Sequence, residues 1–216
     1  MSEVVASPIL AQQFDDIEQQ RETAKLGMWV FLATEVLFFG GLFLSYTVYR
    51  YLNPEGFAAA SRHTEVVLGG ANTAVLLFSS TLMALAVRAA KLGRRRHLVR
   101  LLFATALFGI GFMVIKAVEY YKDITDHLVP GVNFQWSEAN RGAAEIFWWL
   151  YWAMTGLHAI HVTIGVGIML VLAFLARRGH FDNGNYMAVD IAGLYWHFVD
   201  IVWVFLFPLL YLAGHR

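Results

Sequence analysis

Cysteine is absent from this 216-residue chain, which removes disulfides, thiolate metal sites, iron–sulfur ligation and cysteine nucleophiles in one step. Charge is scarce too. Only 15% of residues are Asp, Glu, Lys or Arg, and the 16 basic side chains balance the 16 acidic ones, so no overall basic surface argues for nucleic acid. No phosphate loop, Ser/His/Asp arrangement or zinc-ligand spacing occurs. What the chain has in quantity is apolar surface: 58% hydrophobic residues, including 17 Phe, 9 Tyr and 7 Trp. That composition lies far from an ordinary soluble domain and points to an integral membrane protein.

Five apolar runs reach the roughly 20 helical residues needed to cross a hydrocarbon core. They cover residues 26–46, 66–90, 98–118, 146–176 and 191–213. The expected fold is therefore all-α, a polytopic bundle of five transmembrane helices. The fourth run is too long for an upright crossing, so it should tilt or protrude. Residues 1–25 combine Asp15, Asp16, Glu18 and Glu22 with Arg21 and Lys25, and they lack the apolar core of a cleavable signal. They are expected to form a cytoplasmic tail that enters the first span as a short amphipathic helix, with residues 26–216 forming one bundle. No internal repeat favours an inverted-repeat transporter.

The loop between spans two and three holds Arg88, Lys91, Arg94, Arg95, Arg96 and Arg100, which the positive-inside rule assigns to the cytoplasm. Alternation then puts the amino terminus and the Arg177–Arg178 loop inside. The loops at 50–65 and 119–145 and the carboxyl terminus fall outside.

Ionisable groups within the spans are costly, so partners are expected for them. Glu35 lies one residue from the centre of span one, His161 at the centre of span four, and Asp200 two residues from the centre of span five. Similar depth permits interhelical contact. His158 and His161 share a face at i, i+3, as do His197 and Asp200, and Gly156 and Gly165 leave room for a neighbouring backbone. Glu35 is expected to bond a histidine of span four or five; the spacing leaves open which one. A buried structural acid and a proton-handling group are both compatible with Glu35. For His158, His161 and His197, structural hydrogen bonding is set against heme or metal ligation, and their bulky apolar neighbours and lack of a Glu-x-x-His pattern favour the former.

Lys116 and Glu119 are expected to form a snorkelling i, i+3 pair at the outer end of span three, or to touch a lipid headgroup. Trp148, Trp149, Tyr151 and Trp152 have the spacing of a headgroup-level aromatic anchor. Phe38-Phe39-Gly40-Gly41 suits core packing or close contact with a partner helix. Arg94, Arg95 and Arg96 read as a topology determinant, with anionic lipid binding as an addition.

Six segments, taken in chain order, resemble subunit III of the heme–copper terminal oxidases. They are Glu22-Thr23-Ala24-Lys25-Leu26-Gly27-Met28-Trp29, Thr34-Glu35-Val36-Leu37-Phe38-Phe39, Asn72-Thr73-Ala74-Val75-Leu76-Leu77, Glu119-Tyr120-Tyr121, Gly156-Leu157-His158-Ala159-Ile160-His161-Val162 and Tyr195-Trp196-His197-Phe198-Val199-Asp200. The resemblance covers the chain from about Glu22 onward, in the short five-helix bacterial form of the cytochrome c oxidase subunit III family. It implies a non-catalytic integral subunit of a bacterial inner-membrane oxidase. Hemes and copper would reside in subunits I and II, and this chain would bind no redox metal. Packing against subunit I, holding structural phospholipid and supporting proton uptake and lasting activity would be its work.

The family's buried carboxyl falls on Glu35, its histidines on His158, His161 and His197, and its terminal acid on Asp200, while Asp190 resembles an acidic position before that motif. The chain departs from the family in three respects. It corresponds to the longer form from the third span onward, Lys116 replaces an uncharged polar residue, and residues 179–188 match poorly. The resemblance also admits a quinol oxidase, or an accessory subunit of a nitric oxide reductase. A third class, an independent heme-binding cytochrome or proton channel, would make the three histidines ligands or relays.

Overall fold

The computed structural model describes residues 13–132, 134–181 and 186–214, and within them the chain is all-helical. The elements are α1 (Ile17–Leu52), α2 (Pro54–Arg62), α3 (Val66–Lys91), α4 (Arg95–Thr125), α5 (Arg141–Arg177) and α6 (Met187–Tyr211). All but α2 are long and apolar enough to cross a membrane, as the five runs predicted. The helices overrun those runs. At 1.5 Å per residue, the 37 residues of α5 extend about 55 Å.

Local chemistry sets the ends. Asp16 caps α1 by accepting from the Gln19 amide at 2.7 Å, so residues 17–25, expected in the tail, are helical. The first 12 residues of that tail lie outside the described residues. Asn53 closes α1, and Pro54 at the next position opens α2, a helix with no counterpart in the hydropathy pattern. Helix α3 stops at Gly93, whose φ of +65° lets Arg94 N–H reach Ala89 O at 2.9 Å while Gly93 N–H reaches Ala90 O at 3.1 Å. Helix α4 ends in the same bonding pattern but with His127 at φ +57°, a position where a side chain costs about 1 kcal/mol. Leu128, just beyond it, is buried and supplies the accompanying apolar contact.

Helix α6 is the most buried span and α1 the least. Trp196 of α6 inserts its indole against both α4 and α5. A Cβ on Gly165 would come within 2.5 Å of the Trp196 ring, and one on Gly109 within 2.8 Å, so the indole occupies space that only glycine leaves. Its Nε1 donates to Ser79 Oγ on α3 at 3.0 Å. Gly156, also expected to admit a neighbour, faces only the Tyr120 hydroxyl at 4.0 Å. Helix α1 leans on α5 and α6 from one side.

The end of the bundle that carries α2 is closed by side chains bonding to backbone. Pro208 interrupts the hydrogen-bond ladder of α6. Beyond it, Tyr46 of α1 donates to Leu209 O at 2.6 Å, and Ser61 of α2 donates to Leu210 O at 2.8 Å. These carbonyls would otherwise be unsatisfied at the helix end.

The aromatic group at the start of α5 divides between two environments. Trp149 is 56% exposed, but Trp148 and Tyr151 are fully buried and belong to the core rather than to a headgroup belt. Trp152 stacks on Tyr120 with centroids 4.3 Å apart and donates to Leu128 O at 3.3 Å. Phe39 is buried, Phe38 is half exposed, and neither Gly40 nor Gly41 has another residue against its Cβ position.

Candidate functional site

Because α1 touches its neighbours along one side only, an apolar groove runs down each flank. One, of about 810 Å³, lies between α1, α5 and α6 and includes Glu35, His161 and Tyr195 in its wall. The other, of about 870 Å³, lies between α1 and α6, and His197 is its polar member among residues such as Trp29, Phe39 and Phe205.

Glu35 Oε2 and His161 Nε2 stand 3.2 Å apart, both partly buried, so of the two histidines on α5 and the one on α6 it is His161 that meets Glu35. The other ring nitrogen, Nδ1, lies 2.8 Å from Leu157 O, one turn back on the same helix. Tyr195 donates to the carbonyl of His161 at 3.1 Å, and the Phe39 ring packs 5.5 Å from the imidazole. The pair therefore joins α1 to α5 with α6 bracing it.

His158 faces elsewhere. Its Nε2 lies 3.1 Å from Val199 O, and its ring is held between Phe112 and Trp203 at 5.4 and 5.0 Å. His197 Nδ1 bonds Ser80 Oγ on α3 at 2.7 Å. Asp200, on the same face of α6, is 3% exposed and its oxygens have no hydrogen-bond partner within geometric limits among the described residues. Glu35 with His161, His158 with Val199 O and His197 with Ser80 are thus three separate contacts, not one connected network, and Asp200 is bonded in none of them. Among the described residues, no group of three or more His, Asp or Glu side chains is placed to share a metal ion.

Lys116 and Glu119 pair at 3.1 Å, but they do not face lipid. Their exposures are 1% and 0%, because both point inward between α4, α5 and α6. Lys116 Nζ also donates to Tyr151 OH at 2.9 Å and to Tyr211 OH at 2.7 Å, and lies 4.8 Å from the Tyr120 ring centroid. The Tyr151 hydroxyl is 2.8 Å from Glu119 Oε1 and 3.0 Å from Asp123 Oδ2. Hence the snorkelling expectation is corrected. Partners on two other helices make an inward geometry possible, and α4 continues past the point where its charges suggested a loop. The signal was available: Lys116, Glu119 and Asp123 at i, i+3 and i+7 share one helix face.

At the other end, Asp190 ties three helices together, 3.0 Å from Lys91 of α3 and 3.6 Å from Lys25 of α1. Arg95 caps α5 by donating to Ala176 O at 2.9 Å, while Arg94 and Arg96 are exposed beside it.

Comparison with known proteins agrees with this architecture. The family model for cytochrome c oxidase subunit III matches residues 13–215. A cytochrome c oxidase subunit 3 from Synechocystis sp. is 32% identical over 187 residues, covering 86% of this chain and 74% of that protein. One from Thermostichus vulcanus is 30% identical over 213 residues and covers 98% of each. A probable cytochrome c oxidase subunit 3 from Rickettsia bellii is 32% identical, over 91% of this chain and 71% of its own length. A match spanning nearly all the described residues, with a five-span helical membrane fold, means that the chain belongs to the cytochrome c oxidase subunit III family.

Proposed function

We propose that this chain is the non-catalytic subunit III of a respiratory cytochrome c oxidase in a bacterial inner membrane. It packs against subunit I in a complex that also holds subunit II, retains structural phospholipid, and supports proton uptake and durability during turnover. The amino terminus faces the cytoplasm, where Arg94, Arg95, Arg96, Arg177 and Arg178 gather at one end of the bundle.

The observation that carries this reading is the sparing attachment of α1. Trp29, Leu37 and Leu44 are left exposed along it, and a groove on each flank is lined by apolar side chains. In a bilayer such a surface gains nothing from hiding apolar area as such; it favours close packing with acyl chains or with another subunit's helices. Exposed Arg94 and Arg96 suit a phosphate headgroup at the cytoplasmic level. The chain acts by packing and electrostatics, while electrons pass through partner subunits.

Oxygen consumption followed through many turnovers, by complexes purified with and without this chain, tests the proposal. The complex lacking it is expected to reduce oxygen at first, take up protons more slowly, and inactivate sooner. Immediate and complete loss of heme reduction would refute it.

A further inference from the structure

The buried group around Lys116 presents a problem of proton accounting. The ammonium has three hydrogens and three partners: Glu119 Oε2 at 3.1 Å, Tyr151 OH at 2.9 Å and Tyr211 OH at 2.7 Å. Nothing is left over. The Tyr151 oxygen also lies within hydrogen-bond distance of two carboxyl oxygens, Glu119 Oε1 at 2.8 Å and Asp123 Oδ2 at 3.0 Å. Each of those approaches calls for a hydrogen between the oxygens, and a phenol brings one.

Glu119 has the stronger claim to that hydrogen. Its contact with Tyr151 is the shorter, and its other oxygen already accepts from the ammonium. Asp123 has no direct bond to a cation among the described residues: Lys116 is committed to its three partners, and Lys122 bonds Glu65 at 2.9 Å. If Asp123 carries a hydrogen of its own, Tyr151 accepts from Lys116 and Asp123 and donates to Glu119. That is the full capacity of a phenol, one hydrogen and two lone pairs.

Charge leads to the same arrangement. With both acids ionised, one ammonium would face two carboxylates in a site where Lys116, Glu119 and Asp123 are 1%, 0% and 3% exposed. With one acid neutral, the charges cancel. Among the described residues, the nearby Lys122 is paired with Glu65, and the groups around the cluster offer no second cation bonded to it. From α4 these are Tyr120, which bonds Thr155 at 2.8 Å, and Asp126; from α5 Tyr151 and, deeper, His158; from α6 Tyr211.

We propose that this α4–α5–α6 cluster is a binding site for a single proton, held on Asp123 Oδ2 and donated to the Tyr151 oxygen. The proton comes from a hydronium ion of the solvent: its O–H bond breaks to leave water as the Asp123 O–H forms. This inference stands apart from the proposed role in the oxidase, since it depends only on the cluster's own geometry.

Infrared spectra of the whole purified complex at neutral pH, in ordinary and heavy water, test it. The parent minus Asp123→Asn difference should contain one protonated-carboxyl carbonyl band that shifts down in heavy water. Aspartate enriched in heavy carbon at its side-chain carboxyl should move that band down, and glutamate enriched in the same way should leave it in place. Loss of carboxylate bands alone in Asp123→Asn would overturn the proposal, because Asp123 would then be ionised. A band that moves with the enriched glutamate and not with the enriched aspartate would overturn it as well, because the proton would then sit on Glu119. Should Asp123→Asn fail to assemble, Tyr151→Phe takes away the acceptor, and the acid band is expected to move upward. An unmoved band there refutes the site.

Discussion

Glu35 on α1 and His161 on α5 meet at 3.2 Å, and the second contact of the ring shows how many protons they share. Leu157 O can only accept, so Nδ1, 2.8 Å away, carries a hydrogen. Nε2 then either accepts from a carboxylic acid or donates to a carboxylate, and in both cases one proton lies between the two residues. Glu35→Gln keeps a donor for Nε2, whereas Glu35→Ala keeps none. We expect the alanine variant to lose about 1–2 kcal/mol and the glutamine variant less, because an interhelical hydrogen bond in a membrane contributes on that order. Thermal denaturation of the complex, with retention of this chain in detergent as a second readout, checks the order; equal losses would speak against the pair.

Two glycines of α5 should respond oppositely to the same change. Gly165→Ala drives a methyl against the Trp196 ring at 2.5 Å, and overpacking of this kind costs about 1–3 kcal/mol. Gly156→Ala meets only the Tyr120 hydroxyl at 4.0 Å, and gains up to about 1 kcal/mol of helix propensity. Melting temperatures of the two variants, with tryptophan fluorescence reporting on Trp196, separate the cases.

Removing the cation at Lys116 leaves Glu119 buried without its charge partner. For Lys116→Met the expected loss is about 3–5 kcal/mol, the usual result of deleting one member of a buried ion pair. The double variant Lys116→Gln with Glu119→Gln retains polar groups and removes both charges, so it should recover much of that loss. Purified yield and melting temperature measure the recovery; additive losses would show that the two residues act independently.

Asp190 offers a milder case. Its lysine partners are about half exposed, so water and salt screen the interaction. Asp190→Asn is expected to cost no more than about 1 kcal/mol. The difference from the parent should shrink as ionic strength rises, which melting curves at low and high salt would reveal.

How far the residue pattern could reach depends on what each property averages over. Span number followed from hydropathy because a hydrocarbon core demands about 20 apolar residues whatever surrounds them. The depths of Glu35 and His161 followed from counting. Which histidine meets Glu35 did not, since helix rotation about its own axis is set by packing, here by Trp196 against Gly109 and Gly165. Ser80, Tyr151 and Tyr211 were invisible as partners because hydroxyls are unremarkable in an apolar run. Lys116, Glu119 and Asp123 misled the placement of the outer loop for a related reason. Hydropathy registers that a charge is present, not whether it faces lipid or a tyrosine on the next helix. Helix α2 escaped because nine residues are too few to show a span, although Asn53-Pro54 marks its start.

The bond from Tyr46 to Leu209 O joins residues 163 positions apart, and Ser61 reaches Leu210 O across 149. A ribosome must therefore have made residues 209 and 210 before α1 and α2 can be locked to α6 by these bonds. Until then, α1 has only its contacts with earlier helices to hold it, such as that of Glu35 with His161 on α5. A premature stop codon upstream of Leu209 would accordingly injure α1 and α2 as well as α6.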